Sequence, residues 1–404
     1  MKRYLILLII LLLPINIYAL DNLTLNSNAY IIYDNTSDMI ISSNNASNIT
    51  SIASLTKIMS AITVIENVNS LDERVTITND MIQSVEYGAQ VAGLQVGNVL
   101  TVRELLYLTL LASDADAINS LAIYTSGSIE NFVTLMNNKA FELGLNSTHY
   151  NNPIGMDASD NYSSASDVLT LLHYALDNHD FRTIFQTSSY TLSNGMSVVR
   201  DIAHIGSVRG IDVSRIIGSK TGWTDNAGLC LAGNFNSHNH EYLFVTLGAP
   251  TLNFSDYLNI RDALSIIDYV DNNYDTYTLM HKGDLIRTLI VNNSLISNYS
   301  IYLDQDINMV LPKDYDINDF TYKDNLPDSI DYKTDNILGV VDFYYKDKKI
   351  YSEEVVLDKR IRPNIKEILK NNIYLDIFIV ISIILFVVII LFILSRRYVV
   401  YNRK

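Results

Sequence analysis

The spacing of apolar side chains changes period several times along the chain. NAYIIYD (28–34) and DMIISS (38–43) read as two extended runs divided by Asn35-Thr36-Ser37, which predicts a hairpin. After an Asn/Ser-rich stretch, SLTKIMSAITVIENV (54–68) sets Leu55, Ile58, Met59, Ile62, Val64 and Ile65 at helical spacing, predicting a largely buried helix. TVRELLYLTLLAS (101–113) predicts a second helix, with Thr101 as N-cap and Glu104 three residues on, the capping-box spacing. DADAINSLAIYTSG starts a third, SIENFVTLMNNKAFELGL (128–145) a fourth ending at a glycine signal, and SSASDVLTLLHYALD (163–177) a fifth. Between 214 and 248 the period returns to two. SRIIGSKTGW, AGLCLAGNF and EYLFVTLGA are extended, and Thr224-Asp225-Asn226 turns the first pair into antiparallel neighbours. DYLNIRDALSIIDYV (256–270) predicts a closing helix. Strands at both ends of a helical middle place the two strand groups in one sheet. The intervening helices pack on it and form a second lobe, so residues 25–270 read as one mixed α/β unit whose distant residues meet at the lobe junction.

From about 275 to 365 the pattern changes to short extended segments (LIRTLIV, SIYLD, INMVLP, ILGVVDFYY, KIYSEEVVL) divided by Asn, Asp, Gly and Pro, which predicts a small all-β domain. NIKEILKNN (364–372) reads as a short helix leading to IFIVISIILFVVIILFIL (377–394), in which only Ser382 is polar. Extended upstream to Ile373, this run reaches the roughly 20 residues that cross a bilayer. It is apolar on all sides, as a spanning helix is and an interfacial one is not. Arg396 and Arg397 follow at once and place the tail, 395–404, in the cytoplasm. At the other end, MKRYLILLIILLLPINIYAL has the basic start, apolar run and small residue of a secretory signal, with cleavage expected after Ala19. Residues 1–19 are thus expected to be removed. The rest is expected to stand outside the cell, anchored as a single-pass protein by its C-terminus.

Composition narrows the partners. The 404 residues carry a formal charge of −15 and a mean hydropathy of +0.13, two figures that agree only once the apolar ends are set apart. Without the cations beyond those ends (Lys2, Arg3, Arg396, Arg397, Arg403, Lys404), 23 basic residues face 44 acidic ones, a net of −21. Such a body repels phosphate backbones, so no nucleic-acid partner is expected. One cysteine, Cys230, excludes an internal disulfide and a cysteine metal cluster, and the seven histidines show no ligand spacing. No metal and no cofactor are expected.

Three short motifs have chemistry to offer. In Ser54-Leu55-Thr56-Lys57 the serine and lysine share a helix face. A serine hydroxyl needs a proton acceptor to attack, and an amine one turn away serves if burial or a neighbouring cation depresses its pKa. The apolar flanks make this an unusual place for a free lysine. In Lys220-Thr221-Gly222, within GSKTGW, the lysine and threonine suit a substrate carboxylate, and Gly222 leaves the backbone open to a ligand alongside. Ser113, in LLASDADAIN, either relays a proton or simply ends one helix and caps the next.

ASLTK, SDA about sixty residues on and KTG about a hundred beyond resemble the penicillin-recognising serine enzymes. The wording around them is similar to the low-molecular-weight D-alanyl-D-alanine carboxypeptidases, family S11. The likeness runs through SIASLTKIMSAITVIE (51–66), GLQVGNVLTVRELLYLTLLASDADAINSLA (93–122), ELGLNSTHYNNPIGMD (142–157), YSSASDVLTL (162–171) and GSKTGWTDNAGLCLAG (218–233). It implies the two-lobed β-lactamase/transpeptidase-like fold followed by a small β module and a membrane attachment. It also implies a substrate, the peptidoglycan stem peptide ending in D-Ala-D-Ala, and inhibition by β-lactams. On that resemblance Ser54 is acylated, Lys57 takes its proton and Ser113 assists the departing D-alanine. Lys220 and Thr221 hold the terminal carboxylate, and the amides of Ser54 and of Trp223, just beyond Gly222, form the oxyanion hole.

One motif departs from the family. Where Ser-x-Asn is usual, this chain has Ser113-Asp114-Ala115, with Asp116 and Asn119 following. Losing a positioned amide costs about 1–3 kcal/mol, roughly five- to more than a hundredfold in rate. Two alternatives follow: a class A-like β-lactamase, and a peptidoglycan-binding homologue weakened by Ala115.

Overall fold

The computed structural model describes residues 23–251, 256–357, 359–370 and 373–401; the expected signal peptide and the last three residues of the tail lie outside the described residues. The chain divides into two compact units at Asp275/Thr276.

The first unit opens with the expected hairpin, β1 (Ala29–Asp34) and β2 (Met39–Asn44), bulged between Ile32 and Tyr33. A single 3-10 turn, Ala53–Leu55, runs into α1 (Thr56–Asn67), whose residues Thr56 to Val64 are all buried. A helix this apolar has no solvent face to spare, and it forms the centre of the main core. Next come β3 (Arg74–Thr76), α2 (Asn79–Gln83), β4 (Val99–Thr101), α3 (Val102–Leu111), α4 (Ala115–Ser126), α5 (Ile129–Glu142), α6 (Ala165–Asp177) and α7 (His179–Gln186). Then follow a small hairpin, β5 (Ser189–Thr191) with β6 (Ser197–Val199), α8 (Asp201–Arg209), the strands β7 (Gly218–Thr224), β8 (Gly228–Ser237) and β9 (His240–Ala249), and α9 (Leu258–Asn273). The sheet order is β2-β1-β9-β8-β7, so the two distant strand groups do join in one antiparallel sheet, and β7 lies at its edge.

The capping box of α3 forms as the spacing predicts. Thr101 Oγ1 accepts from the Glu104 amide at 3.1 Å, and Glu104 Oε2 accepts from the Thr101 amide at 2.8 Å. Thr101→Ala is expected to cost about 1 kcal/mol, lowering Tm by roughly 2–4 °C, as read by thermal denaturation. Elements that the periodicity does not reveal are the short ones, α2, β3 to β6, α7 and α8. Five of these seven are of five residues or fewer, too short to show a period.

The second unit is all-β before its last helices. Its strands are β10 (Tyr274–Met280), β11 (Leu285–Asn292), β12 (Asn298–Tyr302), β13 (Ile307–Pro312), β14 (Phe320–Asp324), β15 (Ser329–Asp331), β16 (Ile337–Tyr345) and β17 (Lys348–Val356). They make three small sheets, β10-β13, β12-β11-β15 and β14-β16-β17, around a core that includes Leu289, Leu311, Val341 and Phe343. α10 (Ile365–Lys370) and α11 (Ile373–Tyr401) end the described chain. Asp376–Leu394 has a mean hydropathy of 3.8 and is exposed throughout, which makes α11 long and apolar enough to cross a membrane. The helix itself runs on past Leu394, through Ser395, Arg396 and Arg397 to Tyr401.

Candidate active site

Ser54 lies in the 3-10 turn that feeds α1, and Lys57 is one turn on. Lys57 is 2% exposed; its Nζ is 3.0 Å from Ser54 Oγ and donates to the Ile154 carbonyl at 2.6 Å. The same carbonyl lies 3.5 Å from Ser54 Oγ. The pair is held from two sides. Ser60 Oγ, one turn further along α1, donates to the Pro153 carbonyl at 2.7 Å, and Gly155 (φ 86°) packs on the backbone of Ala53. Ala53 itself is left-handed, at φ 48°, a strained conformation for a residue with a Cβ.

β7 brings the third motif to the same place. A Cβ built on Gly222 would stand 3.1 Å from the Ser54 amide nitrogen and 3.0 Å from the Ile52 carbonyl, so the strand passes directly beside the Ser54 backbone. Lys220, two residues earlier, is 1% exposed and donates to the Thr221 carbonyl at 2.8 Å. Arg200 fixes the approach to the strand by donating to the carbonyls of Ile216 and Ile217. Thr221 Oγ1 donates to Asp201 Oδ2 at 2.7 Å, so a ligand carboxylate would have to draw that hydroxyl proton away. Trp223 is exposed, and its indole donates to Thr251 Oγ1 at 3.0 Å. Asp157 closes the arrangement, accepting from Thr224 Oγ1 at 2.8 Å at the far end of β7.

Ser113 occupies the junction between α3 and α4 rather than the end of a helix. It is largely buried, with φ 67°. Asp114 stands at the N-cap of α4, but its carboxylate makes no capping bond. Ala115 is buried, and its amide donates to the Gln90 carbonyl at 2.8 Å. The two polar residues that follow are committed elsewhere. Asp116 accepts from the amides of Ala92, Gly93 and Leu94, each at 2.9 Å, and Asn119 donates to Ser84. Asn119 therefore does not stand in for the amide absent at 115.

Charge explains the state of the lysines. Burial first, then the neighbouring Lys220 cation, hold the Lys57 amine well below the ordinary lysine range, against the pull of Asp114 and Asp201. Burial draws Lys220 down to about 8, opposed by Asp201 and Asp114. Burial likewise pushes the Asp114 carboxyl up to about 8, aided by Asp116 and Asp201 and opposed by the two lysines. Two amines and two carboxyls thus lie close enough to interact, and all but Asp201 are buried. Asp114, Asp201 and the Ile154 carbonyl are members of this group that the motifs do not announce. Asp201 reads in sequence as an ordinary acid in the first turn of a helix, and a backbone carbonyl has no sequence signature at all.

Comparison with known proteins places this arrangement. The family model of D-alanyl-D-alanine carboxypeptidases matches residues 17–251. The D-alanyl-D-alanine carboxypeptidase DacF of Bacillus subtilis is 28% identical over 286 residues, which cover 69% of this chain and 70% of that one. A D-alanyl-D-alanine endopeptidase of Pseudomonas aeruginosa is 29% identical over 243 residues, covering 59% of this chain and 75% of the relative. Among solved structures, penicillin binding protein 5 of Haemophilus influenzae shares the fold with a TM-score of 0.63 at 21% identity, covering 84% of this chain and 98% of that one. The match of the family model over more than half the length, on the segment that holds Ser54, Lys57 and Lys220, makes this chain a member of the D-alanyl-D-alanine carboxypeptidase family of serine peptidases.

Proposed function

We propose that the protein is a D-Ala-D-Ala carboxypeptidase of the cell envelope, acting on peptidoglycan stem peptides through an acyl-enzyme on Ser54. The observation that carries this reading is the placement of Lys57 Nζ. It stands 3.0 Å from Ser54 Oγ, with one N–H given to the Ile154 carbonyl, in a site that favours the neutral amine. A neutral amine held this way has its lone pair for the serine proton. Ser54 Oγ attacks the carbonyl of the penultimate D-alanine as its proton passes to Lys57. The C–N bond then breaks, and the leaving amine takes that proton with Ser113 assisting. Water hydrolyses the ester and restores the serine.

Lys220 and Thr221 receive the terminal carboxylate, and Gly222 permits the peptide to lie along β7, whose outer edge has no strand beside it among the described residues. The amides of Ser54 and Trp223 stabilise the oxyanion. A β-lactam opens on the same serine, but its leaving amine stays tethered, so the adduct is slow to hydrolyse. Residues 25–270 form the catalytic domain and 275–365 a β domain. The span 373–394 in α11 anchors the protein in the cell membrane with residues 395–404 inside and the catalytic part outside.

The purified chain is expected to release D-alanine from a muropeptide ending in D-Ala-D-Ala and to retain one penicilloyl group on Ser54. Absence of release, with Ser54→Ala binding the peptide as well as the native protein, would make it a binding protein. Rapid penicillin turnover would make it a β-lactamase, and release only from cross-linked peptides an endopeptidase.

A further inference from the structure

The second unit is acidic up to residue 358: from 276 to 358 fifteen acids face eight bases. The next twelve residues reverse this. Residues 359–370 hold Lys359, Arg360, Arg362, Lys366 and Lys370 against the single acid Glu367. Within this strip Ile361 is buried in the β core while Arg360 and Arg362, on either side of it, are exposed, the alternation of an extended segment. Arg103, Arg182, Arg215 and Arg287 all form ion pairs with carboxylates. Arg360 and Arg362, like Arg74, Arg200, Arg209 and Arg261, form none among the described residues, in a chain with a large excess of acid.

An apolar loop is laced to the same strip. Ser294 pairs with Pro363, the Ser294 hydroxyl and the Leu295 amide both donate to the Arg362 carbonyl, at 2.9 and 3.2 Å, and the Asn364 amide donates to the Asn293 carbonyl at 2.8 Å. This fixes Leu295 and Ile296, 67% and 48% exposed, beside the cations. Two depressions of about 680 and 420 Å³ share Lys359 to Arg362 as a wall, one bounded by Tyr332 and the other by Tyr299 and Tyr302. Exposed cations, protruding aliphatic residues and tyrosines together suit the boundary between phosphate headgroups and acyl chains.

The length of chain settles the occupant. Nine residues lie between Pro363 and the start of α11, and six of them are helical, so the end of the strip stands no more than about 25 Å from the start of the membrane-crossing helix. We propose that Lys359–Arg362, with Leu295 and Ile296, is a docking surface for the anionic phosphate headgroups of the membrane that α11 enters. This rests on the reading of α11 as a membrane anchor. Docked there, the β unit is pinned on the bilayer surface instead of swinging on its tether, and the acidic remainder is repelled from it.

The test reconstitutes the full chain into vesicles of phosphatidylcholine, with or without one third phosphatidylglycerol, and follows amide hydrogen exchange. Each cation near an anionic surface strengthens binding about fivefold. Exchange at 294–296 and 359–362 is therefore expected to slow by about tenfold or more in the anionic vesicles. Raised salt and the double change Arg360→Glu/Arg362→Glu are expected to abolish the slowing, with penicillin acylation of Ser54 unchanged. If the double reversal impairs folding, seen as lost acylation, Arg360→Gln/Arg362→Gln replaces it with the same expectation. Equal exchange in the two lipids overturns the proposal. So does equal protection on neutral vesicles by soluble polyphosphate, which would mark the strip as a site for a free polyanion. Extraction of the chain from vesicles by alkaline carbonate would defeat the anchor, whereas a chain that resists extraction but shows no lipid dependence would defeat the strip alone.

Discussion

Lys57→Met is expected to slow acylation of Ser54 by about 10²–10⁴-fold, the usual contribution of a positioned proton acceptor. Methionine keeps most of the volume of the buried side chain but has no amine to take the serine proton. The Ile154 carbonyl also loses its donor, so a modest fall in Tm accompanies the loss of rate. Stopped-flow acylation by a fluorescent penicillin measures the first effect and thermal denaturation the second. Acylation within tenfold of the native rate would remove Lys57 from its role.

The pH dependence has a definite sign. In the proposed mechanism Lys57 works as the neutral amine, and burial with Lys220 nearby holds its pKa well below the ordinary value, so the rising limb of kcat/KM is expected far below pH 10.5. In the same mechanism Lys220 works as the cation. Its pKa of about 8 makes the ability to hold a carboxylate complete below that pH and lost above it, which gives a falling limb near 8. Asp114 also titrates near 8, so the limb needs assignment. Lys220→Arg keeps the charge at all accessible pH, and if Lys220 sets the limb, this change abolishes it.

Gly155→Ala is expected to destabilise the catalytic unit by about 3–5 kcal/mol, from a positive φ and an overpacked site together. A Cβ there would lie 2.1 Å from the Ala53 carbonyl oxygen, 2.5 Å from its carbon and 2.9 Å from the Ser54 amide nitrogen. All three are backbone atoms, so no side chain can swing aside. Relief requires the 53–54 turn or the Ile154–Gly155 segment to move, and either motion separates Lys57 from the carbonyl that orients it. Tm should fall by roughly 8–15 °C, and acylation of the folded fraction should slow as well. Gly195→Ala is the control. Gly195 has the same φ of 86° with nothing within 4 Å of an added Cβ, so it should cost only the conformational part, about 1–2 kcal/mol, and leave acylation unchanged. Equal losses for the two variants would show that the contact with Ala53 is not what Gly155 provides.

Much of the fold is legible because its signals are local. The buried α1, the Thr101–Glu104 box and the 218–249 strands each announce themselves within about fifteen residues of sequence. The joining of the first and last strands in one sheet follows from element order. The motifs also place Ser54 beside Lys57, because three residues on a helix is a fixed geometry. The junction after α3 is less legible. Ser113 reads as a helix end, whereas it sits in a left-handed bend that leaves Asp114 uncapped and buried near both lysines. Asn119, one helical turn beyond the motif position at Ala115, is turned to Ser84 by its place on α4.

By itself the sequence determined the family, the two-part architecture, the apolar C-terminal helix and the chemical types at the site, since all of these reside in local period, composition and short motifs. Tertiary structure alone decided that the Ile154 carbonyl accepts from Lys57, that Asp201 holds the Thr221 hydroxyl, and that Lys220 stands close enough to help lower the proton affinity of Lys57. These depend on burial and on distances between residues some 20 to 160 positions apart. A proton affinity is set by the water excluded and the charges nearby, and neither exists until the chain has folded.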